Sequence, residues 1–119
     1  MNLSFAEVQT FVSDLWSSRE FYAGVLGLKL VRESDRWLIF SLNGSELVLM
    51  EGARPAPPRG PYGTECGTVV CLLSDDIQRD YDALKSCGVR FLSEITEVAE
   101  GKYVGFQDPD GNLLELIQK

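Results

Sequence analysis

Apolar and polar positions along this chain change period several times, and each change marks an element. Residues 5–12 mix Phe5, Ala6, Val8, Phe11 and Val12 with polar and β-branched neighbours and predict a strand, which Ser13 and Asp14 stop. Phe21, Tyr22, Val25 and Leu26 then recur at helical spacing. Ser17 with Glu20 three positions on has the form of a capping box, so the helix is expected to begin near Ser17 and to stop at Gly27. Three strands follow, over 28–33, 36–42 and 46–50, divided by Ser34 and Asp35 and by the hairpin pair Asn43 and Gly44.

Residues 53–66 hold Pro55, Pro57, Pro58 and Pro61, four of the chain's five prolines, and cannot continue a sheet. They read as a linker whose Arg54 and Arg59 are solvated. After it the pattern repeats. A strand over 68–73 is stopped by Ser74, Asp75 and Asp76. A helix carries Ile77, Tyr81, Leu84 and Cys87 on one face and ends at Gly88. Strands then follow over 89–92, 95–98, 103–106 and 113–117. The tail from Asp110 to Leu116 echoes Asn43 to Leu49, which sets Glu115 against Val48. Two copies of about sixty residues are too few and too long for a solenoid and predict a pseudo-symmetric pair around a shared pocket. The expected class is α+β, one domain over 1–119, with module one over 1–52, the linker over 53–66 and module two over 67–119.

Composition narrows the chemistry. At 119 residues the chain can build a proper core, and 45% hydrophobic with 24% charged residues is ordinary for a globular protein. No apolar run approaches bilayer length, and the first residues lack a basic leader, so a cytoplasmic location is expected. A net charge of −7 argues against nucleic acid or a membrane as partner and leaves cationic or neutral small molecules. There is no histidine, which removes the commonest general base and the commonest transition-metal ligand. The three cysteines, Cys66, Cys71 and Cys87, fit no disulfide or close-spaced zinc pattern and are expected as small buried residues.

The last strand poses the central question. Asp108, Pro109, Asp110 and Gly111 form a turn in which glycine takes the left-handed position. Glu115 then interrupts the apolar run from Leu113 to Ile117. By strand alternation, Leu114 and Leu116 share one face, and Glu115 shares the other with Leu113 and Ile117. Alternation alone does not say which face lines a pocket.

These landmarks resemble the vicinal oxygen chelate superfamily, which includes glyoxalase I, bleomycin resistance proteins and extradiol dioxygenases. The resemblance rests on Val12 to Leu15 with Ser18, Phe21 and Tyr22, Leu26 to Leu28, Asp76 and Ile77, Leu84, Gly88 and Val89, and Asp108 to Glu115. It implies two βαβββ modules whose sheets curl into a cup, with a small-molecule partner and a homodimer. The family's four metal-ligand positions fall on Glu7, Val48, Val69 (Thr68 if aligned on Asp75) and Glu115, so only the two glutamates are expected to ligate, and no metal or other cofactor is expected. A divalent ion held by Glu7, Glu115 and a chelating substrate is the alternative.

The resemblance turns Glu115 and Glu7 into the cup as candidate acid/base residues. Alternation places Gln9 and Phe11 with Glu7, Met50 with Val48, and Cys71 with Val69, while Trp37 and Tyr103 can stack on a planar ligand. The leading expectation is a metal-free protein that sequesters a cationic or aromatic molecule such as an antibiotic, in the manner of bleomycin resistance. The alternative is a glyoxalase- or dioxygenase-like enzyme.

Overall fold

The computed structural model describes residues 1–52 and 67–119. The proline-rich linker, with Arg54, Arg59 and Cys66, lies outside the described residues. The chain divides into two compact units, Met1–Pro55 and Ala56–Lys119, each with its own sheet.

In the first unit, strand β1 (Val8–Val12) leads into helix α1 (Leu15–Arg19), which continues as a π-helical segment over Glu20–Val25. The helix begins two residues earlier than the capping-box reading expects. Asp14, not Ser17, is the N-cap: its Oδ1 accepts the Trp16 amide at 3.0 Å, and its Oδ2 accepts the Ser17 hydroxyl at 3.0 Å. Ser17 therefore serves the cap from inside the first turn. Gly27 closes the helix at φ 73°, the left-handed conformation that glycine adopts without steric cost.

Strands β2 (Lys29–Glu33), β3 (Trp37–Leu42) and β4 (Ser45–Glu51) then form an antiparallel meander. Asn43 at φ 46° and Gly44 at φ 95° make the tight turn between β3 and β4. This unit's first strand pairs parallel with its last, giving the order β1-β4-β3-β2.

The second unit repeats this plan. Strand β5 (Val70–Leu73) precedes helix α2 (Ile77–Ser86), and β6 (Arg90–Phe91), β7 (Thr96–Val98), β8 (Gly101–Gln107) and β9 (Leu113–Gln118) follow. β5 pairs parallel with β9, which pairs antiparallel with β8; β6 and β7 both lie against β8. Asp76 caps α2 by accepting the Arg79 amide. Gly88 ends the helix at φ 84°. Cys87, expected on the buried helix face, is exposed instead, because the last helical residue is Ser86 and Cys87 already sits in the cap. Both units are thus βαβββ modules, and the fold is α+β. No helix among the described residues is long and apolar enough to cross a membrane.

Each helix covers one face of its sheet. In the first unit Tyr22 packs on Phe40 with ring centroids 5.9 Å apart, and Leu38, Leu47, Leu49 and Val12 are buried with them. In the second, Tyr81 meets Phe91 at 4.5 Å, Phe91 meets Phe106 at 5.6 Å, and Leu114 and Leu116 are buried. Each such side chain contributes about 1.5–3 kcal/mol of burial. At the mouth of β8, Gly101 has φ 142°, and a Cβ there would collide with the Gln118 carbonyl oxygen, so the β8–β9 end admits only glycine.

Ser18 is fully buried, and its hydroxyl has no hydrogen-bond partner among the described residues. An unpartnered buried hydroxyl costs roughly 1–3 kcal/mol. Ser18→Ala is therefore expected to leave stability unchanged or raise it by up to about 1 kcal/mol in urea unfolding. A loss greater than that would mean the hydroxyl has a partner in solution.

Candidate functional site

Once a helix covers one face of a sheet, alternation assigns the other face residue by residue. In the first unit the helix-free face carries two rows across three strands. Gln9, Val48 and Ile39 are mutually in register, and so are Phe11, Met50 and Trp37. Glu7 immediately precedes β1 on the same side as Gln9, whose Nε2 donates to Glu7 Oε2 at 3.0 Å. In the second unit the corresponding rows are Cys71, Glu115 and Gly105, then Leu73, Ile117 and Tyr103. Val69 precedes β5 as Glu7 precedes β1.

Every residue singled out from the sequence therefore lies on the helix-free side of its own unit. Their exposures differ. Val48 is 4% exposed and packs as core, whereas Phe11 is 54% exposed. Gln9 and Cys71 are exposed, and Glu7, Trp37, Met50, Val69, Tyr103 and Glu115 are half-buried. Sequence reasoning missed Ile39 and Leu73. The signal for both was plain alternation, two positions from Trp37 and from Cys71.

Glu115 answers the question of the last strand. Leu114 and Leu116 are the residues under α2, so Glu115 stands on the helix-free side with Leu113 and Ile117. A cavity of about 150 Å³ opens beside it, lined among others by Val98, Tyr103 and Ile117, with Glu100 and Lys102 supplying charge. It is an open groove of mixed lining, with Gln118 and Lys119 beside those residues.

Cys71 is the neighbour of Glu115 across the parallel β5–β9 pair, with its Sγ 3.8 Å from Glu115 Oε1. It is exposed, against the expectation of a small buried cysteine, because it lies on an edge strand and on the uncovered face. Loss of water around the sulfur, and then the Glu115 charge, push the Cys71 thiol up. Both effects favour the protonated thiol, the form that donates a hydrogen bond.

The turn before β9 holds the strand in place. Asp108 is 3% exposed; its Oδ1 accepts the amides of Asp110 and Asn112 at 2.9 and 2.8 Å, and its Oδ2 accepts Asn112 Nδ2 at 2.9 Å. Gly111 takes φ 87°, as the turn chemistry requires.

A resident metal does not fit this donor set. Valines stand at two of the four positions that the resemblance implies for ligands, and no group of three or more His, Cys, Asp or Glu among the described residues could hold an ion.

Comparison with known proteins places these features in context. The family model described as Glyoxalase/Bleomycin resistance protein/Dioxygenase superfamily matches residues 4–116. Uncharacterized protein YurT of Bacillus subtilis (strain 168) is 31% identical, covering 92% of this chain and 94% of its own length. The metallothiol transferase FosB of Staphylococcus haemolyticus is 32% identical, over 88% of this chain and 76% of that protein. Among solved structures, TnmS3, an antibiotic binding protein from Streptomyces sp. CB03234, superposes with a TM-score of 0.72 at 25% identity, covering 99% of this chain and 98% of that one.

Because Asp108 holds two backbone amides with one buried oxygen, Asp108→Ala is expected to destabilise the protein by roughly 2–3 kcal/mol in chemical unfolding. An unchanged midpoint would show that the turn holds its shape without the carboxylate.

Proposed function

The chain belongs to the glyoxalase/bleomycin resistance protein/dioxygenase superfamily, and from that premise we propose that it binds and sequesters a small cationic or aromatic molecule without turning it over. The observation that carries this reading is Glu115, a half-buried carboxylate on an otherwise apolar strand face, with Tyr103 and Ile117 beside it around an open groove. A half-buried carboxylate attracts a protonated amine or another hydrogen-bond donor, in competition with Lys102 and Lys119 at the same groove. The adjoining aromatic and aliphatic side chains favour a flat apolar body. The likeness to an antibiotic binding protein supports the same reading, as does the chain's −7 charge, which draws cations. Val69 and Cys71 complete the proposed contacts on the second unit, and Glu7, Gln9, Phe11, Trp37, Val48 and Met50 are proposed as ligand contacts of the first unit taken by itself.

The second reading is turnover, with Glu115 and Glu7 as acid and base or with a divalent ion chelated partly by substrate. The 32% identity to a metallothiol transferase favours it. Stoichiometric metal in protein purified without chelators, together with catalysis lost in Glu115→Gln, would put it ahead.

In the sequestration reading, benzylamine is expected to raise the melting temperature and to bind measurably by calorimetry. Glu115→Gln should weaken it by roughly tenfold to a hundredfold, the value of a hydrogen bond to a charged group. Equal stabilisation of both proteins by benzylamine would remove Glu115 from the site. We further take the working form to be a cytoplasmic homodimer. Light scattering at micromolar concentration should give twice the 13.2 kDa chain mass, and a monomer there would remove that part of the proposal.

A further inference from the structure

We propose that Cys71 is a positioning residue: its thiol hydrogen bond holds the Glu115 carboxylate in the direction from which a ligand's donor meets it. This rests on the reading of Glu115 as the ligand-binding carboxylate.

The geometry comes from the strand pairing. Cys71 and Glu115 are register partners on adjacent parallel strands, so their side chains rise from the same face side by side. The thiol has two acceptors within reach, Glu115 Oε1 and the Val69 carbonyl oxygen, each at 3.8 Å. Only the carboxylate is charged, and a charged acceptor makes the stronger bond. The upward displacement of the thiol's titration by burial and by Glu115 keeps the proton available to donate.

The other module differs at this point. Gln9 occupies in β1 the position that Cys71 occupies in β5, but its partner in the last strand is Val48, and its amide donates along its own strand to Glu7 at 3.0 Å. A donor facing a carboxylate across the parallel pair is thus particular to the second module.

The titratable and charged groups near the pair are Tyr103 on β8 and, around the cavity, Glu100, Lys102 and Lys119. None of these is the register partner of Cys71, which leaves Glu115 as the group that governs its thiol.

Two measurements on the full chain test the proposal. The first is the pH dependence of Cys71 alkylation by iodoacetamide, resolved from Cys66 and Cys87 by peptide mass spectrometry. Glu115→Gln should lower the midpoint, because the negative neighbour that disfavours the thiolate is gone while the effect of burial stays. An unmoved midpoint overturns the proposal. The second is calorimetry with benzylamine. Cys71→Ala should weaken binding about fivefold to tenfold, and Cys71→Ser, which keeps a donor, should recover affinity to within about twofold of the parent. Equal affinity in the parent and Cys71→Ala strikes the positioning role alone. Absence of benzylamine binding to the parent strikes the sequestration reading, and this proposal with it.

Discussion

Both units depend on a single constraint, the two-residue period of a strand whose one face lies under a helix. Tyr22 against Phe40, and Tyr81 with Phe91 against Phe106, pin which face that is. A slip of one residue in β9 would carry Glu115 beneath α2 and turn Leu114 and Leu116 out. Burying an unpaired carboxylate costs several kcal/mol, and the exposed leucines would add their own lost burial. The register is therefore strongly determined, and with it every neighbour on the opposite face. Parallel pairing of first and last strands then brings together residues far apart in the chain, Gln9 with Val48 and Cys71 with Glu115.

The two modules use this shared frame differently. One row is apolar in both and ends in an aromatic residue: Phe11, Met50 and Trp37 in the first, Leu73, Ile117 and Tyr103 in the second. The other row diverges. Gln9, Val48 and Ile39 make a wall with one polar edge, whereas Cys71, Glu115 and Gly105 put a thiol and a carboxylate side by side over bare backbone. The first face is almost wholly apolar, and the second, taken by itself, carries a polar pair.

Much of this was legible in the residues. The succession of elements and the module repetition followed from turn chemistry at Asn43 with Gly44 and at Asp108 to Gly111, and from Gly27 and Gly88 as helix terminators; the order of strands within each sheet did not. The helix start was misread because Ser17 and Glu20 carry the local form of a capping box. Asp14 outcompetes Ser17 by capping the Trp16 amide and binding the Ser17 hydroxyl as well. The π-helical turn over Glu20–Val25 left no trace in apolar spacing, since Phe21 and Tyr22 are buried in either winding. The cysteines were misjudged for a general reason. Residue type gives an average burial, but Cys71 sits on an uncovered edge strand and Cys87 in a cap. The face of Glu115 was undecidable from alternation because both faces of β9 are apolar. Only the position of α2 resolves it.

Asp108 and Glu115 show why acidic residues so near in sequence carry different work. The Asp108 oxygens are consumed by backbone amides and an asparagine, which gives a rigid turn and leaves it nothing to offer a ligand. Glu115 occupies the point where the first module holds Val48, a residue that packs well and asks for no partner. Placing a carboxylate there sacrifices burial and adds desolvation cost, which a fold selected for stability alone would avoid. The turn that Asp108 locks and the strand pairing that sets Cys71 beside Glu115 both limit how far that carboxylate can wander. Under the proposed binding role, pre-organisation of this sort would lower the ordering cost of binding.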